Sequence, residues 1–176
     1  YWNQCQHQTW YFLPWHRGYL ASLEAILRKA IIDDGGPNDW AMPYWNYSDT
    51  NNPTARELPP AFSQQLMPDN TPNPLFVSQR YGNGSVPFEL NSIDVNLSSV
   101  LQESDFISRA RITGFGGPET NFHHSGVRGG IYGALESQPH NIVHVEIGGR
   151  NPSGLMTDPD TAALDPIFWL HHANID

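Results

Sequence analysis

Cysteine is almost missing from this sequence: Cys5 is the only one among 176 residues. A single thiol rules out an intrachain disulfide, so pairing says nothing about redox compartment, and it rules out a zinc site built on several thiolates. Positive charge is scarce as well. Nine Lys and Arg stand against eighteen Asp and Glu, a formal charge of −9, which argues against nucleic acid or an anionic membrane as partner, since both need clustered cations. No apolar run approaches the roughly 20 residues of a membrane-spanning helix. There is no initiator Met and no charged-then-apolar leader, and Asp176 falls inside a helical pattern without a C-cap, so an excised piece of a longer protein is the expectation.

Aromatic residues are plentiful. They make up 12% of the chain, six of them Trp, and suit either a Trp-rich core or an apolar shell that keeps solvent from a metal. The length is one domain's worth, enough for a single sizeable core. A helix is expected from Pro14 to about Ile32, with Leu20, Leu23, Leu27 and Ile31 as its buried stripe, ended by Asp33-Asp34-Gly35-Gly36-Pro37. Between Ser48 and Pro118 the composition turns to Asn, Pro, Ser and Gly. Only short turns of helix are expected there, near Ala61–Leu66 and Val95–Leu101, and a loop of that length is expected to wall a substrate cleft. Three Asn-x-Ser triplets, at Asn46, Asn83 and Asn96, leave secreted and cytoplasmic locations both open.

The chemistry sits on histidines. His140-Asn141-Ile142-Val143-His144, read on one helix from Leu135 to Ile147, puts two imidazoles on one face, where one metal ion can take both. A zinc protease of that spacing needs Glu after the first His; Asn141 stands there instead. In Asp165-Pro166-Ile167-Phe168-Trp169-Leu170-His171-His172, Asp165 reads as N-cap and Pro166 as first helical residue, and His172 shares its face with Phe168 and Ile175. His7 and His16 look buried too, His16 on the apolar stripe of its helix. A lone histidine on an apolar face is usually a satisfied core residue; five together point to a metal. All-imidazole ligation suits copper, iron or zinc, and the spacing alone does not choose among them.

These motifs resemble the central domain of the tyrosinase, catechol oxidase and molluscan haemocyanin family. The resemblance covers nearly the whole chain, including Pro43-Tyr44-Trp45-Asn46-Tyr47. It implies a mainly α fold, a helical bundle around a binuclear copper site with long irregular loops, formed by residues 1–176 as one domain. It implies two copper ions, with His140, His144 and His172 as ligands of the second, His171 standing behind them, and His7 and His16 as two ligands of the first. The remaining ligand of the first copper lies upstream in the family, and no histidine precedes His7. His123 and His124 are weaker candidates for a substitute, since their Gly-rich surroundings fix a ligand poorly.

The resemblance further implies a thioether between Cys5 and His7, a water held by Glu136 and Asn141 that deprotonates a phenol, and Val145 as a small gate residue. The activity it implies is copper-dependent: ortho-hydroxylation of monophenols and oxidation of o-diphenols to o-quinones, with dioxygen and a small phenol as partners. A catechol oxidase or o-aminophenol oxidase without monophenolase activity, a haemocyanin-like oxygen carrier and a zinc-stabilised binding domain are the alternatives.

Overall fold

The structure is a computed structural model that describes residues 4–109, 113–122 and 130–176. His123 and His124 lie outside the described residues.

The first helix, α1, spans Phe12–Asp33. It begins two residues before the expected Pro14, because Thr9 sets the turn: its hydroxyl accepts from the Tyr11 N–H at 2.9 Å and its carbonyl from the Phe12 N–H at 3.0 Å. Pro14 is tolerated in the first turn, where its missing N–H costs nothing. Burial fades along the helix. Phe12, His16 and Leu20 are buried, whereas Leu23, Leu27 and Ile31 are only half-buried. The expected stripe is thus covered along its N-terminal half alone, by the last helix of the chain.

That last helix, α4, spans Ile167–Ile175 and packs against α1. Asp165 caps it as the sequence suggests, accepting the Ile167 N–H at 3.1 Å. The same carboxylate, fully buried, receives Arg80 at 2.5 Å. Arg80 also donates to the carbonyls of Phe62 and Leu75. One arginine of the Pro- and Asn-rich segment therefore ties that segment to the start of α4.

The stretch Leu135–Ile147 is not one helix. A wide π-type turn over Glu136–Asn141 leads into α3, Ile142–Gly148, and the two are interrupted at Gln138, whose φ of −147° and ψ of 127° are extended. The cause is Pro139, joined to Gln138 by a cis peptide bond: proline lacks the N–H a helix interior needs, and its ring clashes with the preceding turn. α3 ends as expected. Gly149 adopts φ +83° and its N–H closes on the Val145 carbonyl at 2.8 Å.

The loop-rich middle is packed, not draped over a cleft. A single turn, α2 at Pro60–Ser63, and a 3-10 turn at Val100–Gln102 match the two short helical turns expected there. A two-residue parallel pairing joins β1, Ile107–Ser108, to β2, Gly117–Pro118. Tyr47, Phe62, Leu90 and Val95 reach into the main core against Val143, Ile147, Ile167 and Phe168, while Val100 joins Phe12, Leu135 and Ile175 in a second cluster. These scattered apolar side chains close the back of α3 and α4. No described helix is long and apolar enough to cross a membrane.

Candidate metal centre

α1, α3 and α4 each aim histidines at one point. His140, in the turn just before α3, and His144, in the first turn of α3, bring their Nε2 atoms to 3.2 Å from Nε2 of His172 on α4. Their other nitrogens are already committed. His144 Nδ1 donates to the Met156 carbonyl at 2.7 Å, and His140 Nδ1 faces the Asn141 Oδ1 at 3.0 Å. An oxygen on Nδ1 places the ring proton there and leaves Nε2 as a bare lone pair. Lone pairs converging in a dry site repel unless a cation lies between them. Nitrogens about 2.0–2.1 Å from a tetrahedral ion sit roughly 3.3 Å apart, so the spacing fits a bound metal ion.

A second set lies alongside. His16 donates from Nδ1 to the Phe12 carbonyl at 2.8 Å, again leaving Nε2 for a ligand. Cys5 Sγ is 3.3 Å from that Nε2 and 3.9 Å from both ring nitrogens of His7. The ligand atoms of Cys5, His7 and His16 fall within 4.8 Å of one another, as do those of His140, His144, His171 and His172. The two sets touch. His16 stacks on His172 with ring centroids 4.5 Å apart, and the fully buried Phe12 ring lies 4.6 Å from both His16 and His140.

The electrostatics follow from this burial. Removal from water, followed by the neighbouring imidazoles, pushes His16 down to about 3, and burial takes His144 to about 4; His140, His171 and His172 are held well below 6.5 by the same causes. Ligand imidazoles must be neutral, and this site keeps them so. Burial, with help from Glu136, pushes the Cys5 thiol up to about 12, so without a metal it stays protonated. Glu136 itself, fully buried, is raised to about 7, mainly by desolvation.

Of the residues singled out from sequence, His7, His16, His140, His144, His172 and Cys5 come together around this point. Asn141 and Val145 line an adjoining cavity of about 270 Å³, together with Trp15, Tyr19, Tyr132 and Phe168. Glu136 is not among the lining residues; its two carboxylate oxygens accept the Gln8 N–H at 2.8 and 3.0 Å. Among the described residues, nothing from Ser48 to Pro118 lines this cavity, which corrects the expectation that the long loop walls a cleft. His171 is fully buried behind these histidines. Its Nδ1 meets the Tyr47 hydroxyl at 3.2 Å, and its ring stacks on His140 at 5.4 Å.

Three functional parts escaped the sequence reading. The Met156 carbonyl that orients His144 is main chain and leaves no residue signature. Phe12 looks like any core aromatic. Tyr47 was visible only as part of an aromatic motif, with nothing to connect it to a histidine 124 positions away.

The common central domain of tyrosinase matches this chain twice, over residues 1–103 and 82–176. Tyrosinase HcTyr1 of Hahella sp. (strain CCB-MM4) is 47% identical over 184 residues, covering 100% of this chain and 37% of that protein. The latent chloroplastic polyphenol oxidase of Prunus armeniaca is 31% identical over 186 residues, covering 97% and 29%. Among solved structures, Grenache (Vitis vinifera) polyphenol oxidase superposes with a TM-score of 0.70 at 28% identity, over 97% of this chain and 50% of that one. A copper-bound Aspergillus oryzae tyrosinase gives a TM-score of 0.57 at 20% identity, a likeness of fold. The chain thus spans 37% and 29% of the length of these two curated relatives.

Proposed function

Because the chain belongs to the tyrosinase family of copper oxidoreductases, we propose that it binds two copper ions and, with dioxygen, hydroxylates monophenols ortho to the hydroxyl and oxidises o-diphenols to o-quinones. The observation that carries this is the convergence of three ring nitrogens, on His140, His144 and His172, beside the Cys5, His7 and His16 set and at the foot of a cavity. His140, His144 and His172 would hold one ion, and His7 and His16 would supply two donors to the other. When bound, such a pair exchanges two electrons with dioxygen.

The protein's own part is placement and proton handling. The cavity lets a phenol ring lie against His144, with Val145 too small to bar its approach. Asn141 orients His140 through Nδ1 and also faces the cavity. Glu136 and Asn141 together would hold the water that takes the phenol proton, and a carboxyl raised to about 7 is matched to accepting a proton near neutral pH. Cys5 would join His7 through a thioether. The sulfur sits level with both ring nitrogens, at 3.9 Å from each. The bond forms as the thiol hydrogen and one ring hydrogen leave, with two electrons passing to dioxygen; an intact mass lacking the two-hydrogen deficit contradicts it.

One observation favours a narrower second reading, an oxidase of o-diphenols alone: Glu136 is engaged by the Gln8 main chain and is not part of the cavity wall. Oxygen uptake by the copper-loaded full-length protein separates the two, with metal-free protein as blank. Uptake with both a monophenol and an o-diphenol supports hydroxylation, uptake with the diphenol alone supports the second reading, and uptake with neither refutes both.

A further inference from the structure

His7 differs from the helix-borne histidines in its backbone. It lies on no regular element, unlike His16 on α1 and His172 on α4. The next residue, Gln8, holds φ +55° although it is not glycine, a conformation that side chains avoid and that persists only when its surroundings impose it. Hydrogen bonds on either side impose it. The buried Gln8 N–H points between the two oxygens of Glu136, at 2.8 and 3.0 Å, and the Gly133 main chain hydrogen-bonds the same carboxylate. Two residues on, the Trp10 N–H donates to the Pro118 carbonyl at 2.8 Å. Glu136 is fully buried and opens the turn that Pro139 breaks and that carries His140. One carboxylate therefore links a main-chain atom beside one histidine set to the segment that carries the other, across 128 positions of sequence.

We propose that Glu136 is the positioning residue of His7: it fixes the His7 segment against the His140 segment, whose rings lie 6.1 Å apart, and so sets the separation of the two metal ions. This rests on the copper reading and adds to it. A water-holding role predicts that loss of Glu136 harms only the hydroxylation of monophenols. A positioning role predicts that it loosens copper from one set of histidines, because the groups that orient a ligand usually contribute 10–100-fold in metal affinity, to order of magnitude.

The test uses full-length protein loaded with copper and titrated with a chelator, reading copper per chain and the electron paramagnetic resonance spectrum. The unaltered protein should hold both ions as a coupled pair with little signal. Glu136→Ala should release half the copper at about 10–100-fold less chelator, leaving a mononuclear cupric signal from the His140, His144 and His172 set. Glu136→Gln keeps one acceptor oxygen for the Gln8 N–H and should fall between. Gln8→Gly keeps the N–H and accepts φ +55°, and should hold copper as the unaltered protein does.

Copper retention and spectrum unchanged in Glu136→Ala, with monophenol hydroxylation alone lost, overturns the proposal. Should circular dichroism show Glu136→Ala unfolded, Glu136→Gln decides: loss of copper from one set supports the proposal, and retention like the unaltered protein overturns it. Failure of the unaltered protein to take up copper removes the copper reading and this inference together, an outcome distinct from the others.

Discussion

Three of the histidines, His16, His140 and His144, are oriented by the group on the far nitrogen. Oxygens from Phe12, Asn141 and Met156 hold the Nδ1 protons of His16, His140 and His144 and so leave three Nε2 lone pairs inward. Replacing His144 or His172 with Ala should halve the copper per chain and lower oxygen uptake at least about 100-fold, consistent with loss of a directly bound ligand exceeding the 10–100-fold cost of losing a supporting group; metal analysis and electrode traces read both. The pH dependence follows from the same burial. His16 near 3, His144 near 4, and His140, His171 and His172 well below 6.5 all take up protons more readily when unfolded. Their neutral, folded forms are therefore lost ground as pH falls below about 6.5. Glu136 has the opposite sign: with its carboxyl raised from 4.5 to about 7, it favours the folded state below 4.5 and loses that contribution as pH rises through 7. Five imidazoles outweigh one carboxyl, so the melting temperature of the metal-free protein should fall steadily from pH 6.5 to pH 4. A flat or rising profile would contradict a neutral cluster. At this scale the histidine pair was legible, because His140 and His144 announce themselves by spacing alone. The oxygens behind them were not, because two of the three belong to main chain.

At the level of elements, what positions the site is how α3 and α4 are held at their ends. The Arg80 and Asp165 pair at the start of α4 is 7% and 0% exposed. Removing one partner strands a buried charge, so Arg80→Leu should cost about 3–5 kcal/mol in denaturant unfolding; a change below about 0.5 kcal/mol, the size expected of a surface substitution, would show that the pair holds nothing. At the other end of α3, Gly148 lets the Leu155–Thr157 turn lie close. A Cβ there would overlap Thr157 at its hydroxyl and its main-chain nitrogen. Gly148→Ala should therefore push the neighbouring Met156 carbonyl off His144 and weaken copper binding about tenfold, read by chelator competition; unaltered affinity would show that the turn accommodates the methyl group. The cap of α4 and the stop of α3 were legible, since Asp165 and Gly149 act on their immediate neighbours. The sequence misplaced the start of α3, where Pro139 interrupts an apolar period that otherwise runs on from Leu135. It could not pair Arg80 with Asp165, which stand 85 positions apart.

For the molecule as a whole, the two sets of candidate ligands come from opposite ends of the described chain, residues 5–16 and 140–172, with the loop-rich segment between them packed into the core. The family was legible from the histidine runs, and so was a helical fold with long irregular loops. The inward packing of Phe62, Leu90 and Val95 was not, because isolated apolar residues in a Pro- and Asn-rich stretch carry no period. This arrangement has a kinetic consequence. Closing a loop of more than a hundred residues costs chain entropy before any contact repays it, and folds dominated by such distant contacts form slowly. His7 and His140 therefore meet late, and until they do the chain offers two unconnected clusters of imidazole and no joint site. A metal pair held by both sets would therefore be expected to bind after this closure and not to seed the collapse of the chain.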